Sequence, residues 1–250
     1  MPQFGEQTDN HKNKPELIPS GEWGRDVRIA ETLIQRNLND IKEKIAPCKP
    51  KIIGVTKYYG VDSVVSGYKA GLRAFGESRV LDAIEKIKAL PEEVRKNSEF
   101  HFIGHLQTNK AEKAVEYFDW IQTVDSLKLA NVISSAACRL NKREKVLLQV
   151  NNAGEEQKFG YTVAQLKTDF PEIIKLEGIE VLGLMNMATL GASVEVLHKQ
   201  FSELRELRNE LEKDFNFHLS ELSMGMSDDY DIAVQEGATI IRIGRKLFTN

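Results

Sequence analysis

The chain has 250 residues, 41% hydrophobic and 28% charged, enough to bury one sizeable core. Its 34 basic and 37 acidic side chains leave a formal net charge of -3, so no bulk field draws it to nucleic acid or to an anionic membrane. No apolar run approaches the roughly 18 residues of a membrane-spanning helix. The N-terminus has no apolar signal core. Cys48 and Cys138 form no metal or redox motif, so a soluble cytoplasmic protein with reduced thiols is expected.

Residues 1–22 read as a polar, flexible tail, and 23–250 as one domain with no composition break. A leading amphipathic helix is expected over 23–46, with Ala30, Leu33, Ile34, Leu38, Ile41 and Ile45 on one stripe. Short apolar runs follow at 51–56, 73–75, 100–103, 119–124, 145–150, 179–185, 219–222 and 239–243, which makes eight candidate strands. Helical periodicity separates them, clearest in 126–140 and in 193–214, where Leu197, Phe201, Leu204, Leu207 and Leu211 recur every three or four residues. The charged run 203–213 is the outer face of that helix. Asp62, Asp125 and Ser227 are candidate N-caps, and Gly71 and Gly237 candidate C-terminal stops.

Alternating strands and helices imply parallel pairing, and eight repeats in this length fit a (β/α)₈ TIM barrel. A doubly wound open sheet is the alternative. After the eighth strand only GRKLFTN remains, too short for an outer helix, so the leading helix is expected to fill that place in the ring.

Sites in such barrels lie where strands end and lead into helices. Those positions here hold Lys57, then Gly76-Glu77-Ser78, GHLQTNK (104–110), Asn151 and Asn152, MNMA (185–188), SMGMS (223–227), and Gly244-Arg245. The SMGMS turn can offer backbone N–H groups and hydroxyls to an anion, and RIGR adds a second glycine turn with a fixed positive charge. Turns after the seventh and eighth strands commonly hold a phosphate. A partly buried lysine amine across the mouth from a phosphate site forms imines readily, which suits pyridoxal 5'-phosphate (PLP) or a phosphosugar. His101 and His105 are four apart, but a metal pair needs further ligands, and His11, His198 and His218 sit in no comparable loop; no metal is expected. Met185, Met187, Met224 and Met226 are candidates for either pocket wall or core.

The stretches VTKY around Lys57, FGES (75–78), FHFIGHLQTNK (100–110), GLMNMA (183–188), LSMGMSDDYDIAVQEGAT (222–239) and RIG (242–244) resemble the YggS/PROSC-type pyridoxal phosphate homeostasis proteins. The resemblance covers the chain from about residue 25 to its end and implies a barrel similar to the N-terminal domain of alanine racemase. It further implies PLP held as a Schiff base on Lys57. Ser223, Met224 and Gly244 would lie at the phosphate and Arg242 at the pyridine nitrogen, where a fixed cation leaves that nitrogen unprotonated and the ring a weak electron sink. Ser78 stands where the family mostly has Asn beside the ring. Arg245 stands where Thr or Ser is usual, and it either folds onto the phosphate or points to solvent. The function so implied is cofactor buffering or delivery to transient apo-enzyme acceptors by a monomer without robust turnover. The rivals are an amino-acid racemase and a Schiff-base phosphosugar aldolase. A racemase needs a second acid/base, which alanine racemase takes from a C-terminal β-domain, and this chain stops seven residues after its eighth strand.

Overall fold

The computed structural model describes residues 31–155 and 159–249; the expected tail and the start of the leading helix, with Ala30, lie outside them. The described chain opens with α1 (Glu31–Lys44), which buries Ile34, Leu38 and Ile41 at helical spacing. Eight strands follow: β1 (Lys51–Val55), β2 (Ala74–Glu77), β3 (Glu99–Phe102), β4 (Trp120–Val124), β5 (Glu144–Gln149), β6 (Ile179–Met185), β7 (Glu221–Ser223) and β8 (Ile240–Ile243). All are parallel, each pairs with the next, and β1 closes on β8, so the sheet is a barrel and not the doubly wound alternative. The outer layer is α2 (Val61–Lys69), α3 (Val80–Ala89), α4 (Glu92–Lys96), α5 (Ala111–Tyr117), α6 (Leu127–Arg139), α7 (Val163–Ile173), α8 (Val194–Phe215), α9 (Tyr230–Gln235) and the single turn α10 (Arg245–Phe248).

The leading helix takes the place expected of it. It packs between α2 and α10, and Asn37 on α1 donates to the carbonyls of Leu247 (3.2 Å) and Thr249 (3.1 Å), tying down the last turn of the chain. The stops at Gly71 and Gly237 hold, with φ of 97° and 92°. The N-caps do not fall where expected: α2 starts after Gly60 with Asp62 in its first turn, Ser126 rather than Asp125 caps α6, and Asp229 rather than Ser227 precedes α9. Ser126 Oγ accepts from Leu129 N at 3.3 Å, while Asp125 faces His105 instead.

Strand alternation divides the core in two. The large outer cluster lies between strands and helices. A smaller one, Ile53, Ala74, Trp120, Leu147, Met185 and Ile240, fills the barrel interior with one residue from each of six strands. The same inward parity carries His101, Gln122, Gln149, Ser223 and Arg242, all buried. The interior is therefore apolar only in part, and its polar members lead toward the mouth. Among the described residues, no helix is long and apolar enough to cross a membrane.

Candidate functional site

Lys57 sits in a tight turn two residues past the end of β1, closed by Tyr59 N donating to Thr56 O at 2.9 Å. The strand ends at Val55, so Lys57 stands in the turn at the carboxyl end of β1. It is exposed, not partly buried as expected, with its ammonium 5.1 Å from the centre of the Tyr58 ring. The residue before it is held from every side. Thr56 N donates to Gly76 O (3.0 Å), its hydroxyl to Glu77 Oε1 (2.7 Å), and its carbonyl accepts from Lys86 Nζ (2.8 Å). Lys86 reaches in from α3 to the same Glu77 oxygen at 2.5 Å, with only 11% of its side chain exposed. Neither Glu77 nor Lys86 is singled out by sequence reasoning for this role. A lysine on an amphipathic helix reads as solvated, and only its length lets it reach the carbonyl before the strand-end lysine.

Arg242, on β8, faces inward beside Ile53 in the β1–β8 register. Its guanidinium is buried and donates through Nη1 to Ser223 Oγ (2.7 Å) and through Nη2 to Asn186 O (2.7 Å). Both acceptors are neutral, and no ion pair compensates the charge among the described residues. Burial pulls its pKa down to about 10, against the raising influence of Asp229. The cation persists at neutral pH, with donors to spare for a further acceptor.

The remaining predicted residues are placed as follows. Ser223 and Met224 are fully buried: the Ser223 hydroxyl donates to Gln122 Oε1 (2.6 Å), and Met224 N to Ile240 O (3.1 Å). Gly225, with φ of 93°, turns the chain where a Cβ would come within 2.6 Å of Ala233 Cβ, so only glycine fits. Gly244 lies against Val55, its virtual Cβ 3.6 Å away, and leads into α10. Of the two alternatives left open for Arg245, it takes the solvent one: its guanidinium pairs with Asp228 at 2.8 Å, both side chains largely exposed. Ser78 lines a cleft of about 310 Å³ with Val80, Leu81, Phe102, His105 and Leu106. There its carbonyl packs so tightly on Gly104 that a Cβ at 104 would lie 2.2 Å from it. A larger hollow, about 430 Å³ on the outer face of α1, contains none of these residues. His101 and His105 part company: His101 is inside the barrel, and His105 stacks on Phe159 at the rim, ring centres 3.6 Å apart. Of the methionines, Met185 belongs to the interior cluster and Met224 to the outer core.

The barrel is closed and parallel, and the alanine racemase N-terminal domain family matches its residues 29–249. A pyridoxal phosphate homeostasis protein from Synechocystis sp. is 40% identical over 202 residues, covering 81% of this chain and 92% of its own; the human protein of the same name is 34% identical over 235 residues, covering 89% and 84%. The solved structure of PipY from Synechococcus elongatus with PLP bound is 37% identical with a TM-score of 0.78, covering 86% of this chain and 99% of that one. Alanine racemase from Clostridium difficile, 18% identical with a TM-score of 0.71 over 86% of this chain and 56% of that one, shares the fold. The chain belongs to the pyridoxal phosphate homeostasis protein family, within the alanine racemase N-terminal-domain class.

Proposed function

We propose that this chain holds pyridoxal 5'-phosphate covalently on Lys57 and serves intracellular PLP and amino-acid homeostasis as a carrier without robust turnover. When bound, the cofactor supplies an aldehyde for the lysine amine, a phosphate, and a pyridine ring whose nitrogen accepts a hydrogen bond. The observation that carries the reading is a buried Arg242 with no ion pair among the described residues, in the same barrel as an accessible Lys57 at a strand's carboxyl end: one fits the ring nitrogen and the other the aldehyde. Arg242 would donate to that nitrogen without giving up its proton, which favours holding the cofactor over stabilising a carbanion. Because the Ser223 hydroxyl and Met224 N–H are already engaged, phosphate contacts from this side fall to the turns at Gly225 and Gly244. Ser78 would approach the ring from the adjoining cleft. The accessible lysine leaves the adduct open to acceptors, which suits a protein that passes PLP to apo-enzymes; the cytoplasm and a monomeric state complete the proposal.

The test is an absorbance spectrum with added PLP before and after borohydride reduction, for wild type and Lys57→Ala, with the reduced peptide mapped by mass spectrometry. A visible band fixed by reduction onto Lys57 and lost in the variant is the expected result. An adduct spread over other lysines, or none, overturns it. A phosphosugar ligand would leave a reducible adduct with no visible band.

A further inference from the structure

Beneath the mouth, the interior polar side chains form one column running down the barrel to its base. Arg242 Nη1 donates to Ser223 Oγ (2.7 Å), Ser223 Oγ to Gln122 Oε1 (2.6 Å), and Gln122 Nε2 lies 3.0 Å from His101 Nδ1. His101 Nε2 faces Glu99 Oε2 at 3.5 Å, too far for a well-formed hydrogen bond, and Lys51 Nζ donates to that same oxygen at 2.6 Å. Arg242, Ser223, Gln122 and His101 are each at most 4% exposed, while Lys51 and Glu99 open to solvent below.

The ends of the column and the orientation of Gln122 together give each link its direction. Arginine can only donate, so Ser223 Oγ accepts from it, and the Ser223 hydroxyl donates to Gln122 Oε1. That orients the Gln122 amide with its NH₂ toward His101, so Nδ1 accepts and the imidazole proton sits on Nε2, toward a carboxylate that can only accept. A neutral His101 fits this order. Burial holds it below the ordinary imidazole value, with Lys51 acting the same way and Glu99 and Asp119 pulling it up. The ring is also stacked on Trp120, centres 5.3 Å apart.

We propose that Gln122 and His101 are positioning residues for the mouth: acting through Ser223 they hold Arg242 in place for its ligand, so that His101, Gln122, Ser223 and Arg242 form one hydrogen-bonded unit. The proposal rests on the cofactor reading above. Removing Gln122's carbonyl leaves the Ser223 proton with no acceptor and an arginine donor already at its oxygen. When the serine turns to find another acceptor, Arg242 loses one of its two anchors and keeps only Asn186 O.

Two measurements test this. In the cofactor-free protein, nitrogen-15 NMR of the His101 ring should report a protonated Nε2 and an unprotonated Nδ1; a proton on Nδ1 reverses the column and overturns the proposal without any variant. In the loaded protein, Gln122→Leu and His101→Leu should weaken PLP binding about tenfold, the scale of one lost charged hydrogen bond. Both should shift the visible band, and His101→Asn, which keeps an acceptor for Gln122, should restore most of each effect. A wild-type band with unchanged affinity and position in both leucine variants sinks the proposal. Absence of any band in the wild type indicts the cofactor reading instead.

Discussion

The two ends of the barrel are built to different standards. At the base, charges are closed off. Lys51 pairs with Glu99 (2.6 Å), Lys142 with Glu144 (2.6 Å), Lys142 also donates to the carbonyls of Val115 and Phe118, and Asp119 accepts from Phe100 N. At the mouth, a lysine stands in solvent, a buried arginine keeps donors in reserve, and apolar side chains are left exposed. Tyr58, Leu81, Phe159, Val163, Leu190, Val194 and Val196 all lie in strand-to-helix loops or the first turns of helices there, against Leu140 alone among the described residues at the other end. The contrast separates groups retained for stability from groups retained for a ligand, as in other barrels of this kind.

The comparison breaks most easily at Lys142. Lys142→Ala would strand the buried Glu144 carboxylate and two carbonyls, and should cost about 3–4 kcal/mol in urea unfolding at pH 8. The PLP affinity of the molecules that remain folded should not change. A fall in affinity as large as the fall in stability would show that the two ends are not separable in this way.

Glu144 sharpens the same point through pH. Burial outweighs its lysine neighbour and pushes its carboxyl up to about 7, from an unfolded value near 4.5. Between those values the folded state binds the extra proton, so this group's contribution to stability is complete below about pH 4.5 and is lost as pH rises through 7. Wild type should lose up to about 3 kcal/mol between pH 5 and pH 8 from this source, and Glu144→Gln should flatten that slope. An unchanged slope in the glutamine variant would place the proton elsewhere.

At the mouth, Lys86→Met should slow adduct formation on Lys57 about tenfold, since the turn loses one of the donors that fix its carbonyl. Lys86→Arg, long enough to reach Glu77, should recover part of the rate. Equal rates in all three proteins would make the Thr56–Glu77–Lys86 cluster a matter of stability only.

Strands were legible because parallel barrel strands are buried on both faces and read as short apolar runs. β6 falls on its expected limits, and β7 shifts from 219–222 to Glu221–Ser223 because so short a strand is placed by its neighbours. β2 runs on through Gly76 and Glu77, where a carboxylate is tolerated because Thr56 and Lys86 satisfy it. The helix starts were legible only to within a residue or two, since Asp125 and Ser126 are both good caps and tertiary contacts decide between them. Of the candidate site, Lys57 and Arg242 could be read from strand ends and motifs. Gln122 and His101 could not, because a polar residue in an apolar strand says nothing of its partner until the barrel closes.

The smallest expected effect tests the rim. Leu190 is 83% exposed in the loop between β6 and α8, so Leu190→Ser removes almost no buried area and should alter stability by less than about 0.5 kcal/mol. The adduct band should also stay in place, because so exposed a side chain packs little against the turns around it. Any change should appear only in the rate at which PLP passes to an added apo-enzyme, where an apolar rim offers contact area to a partner. A stability loss above about 1 kcal/mol would mean that the rim, like the base, is kept for the fold. The difference between the two ends would then be one of charge alone.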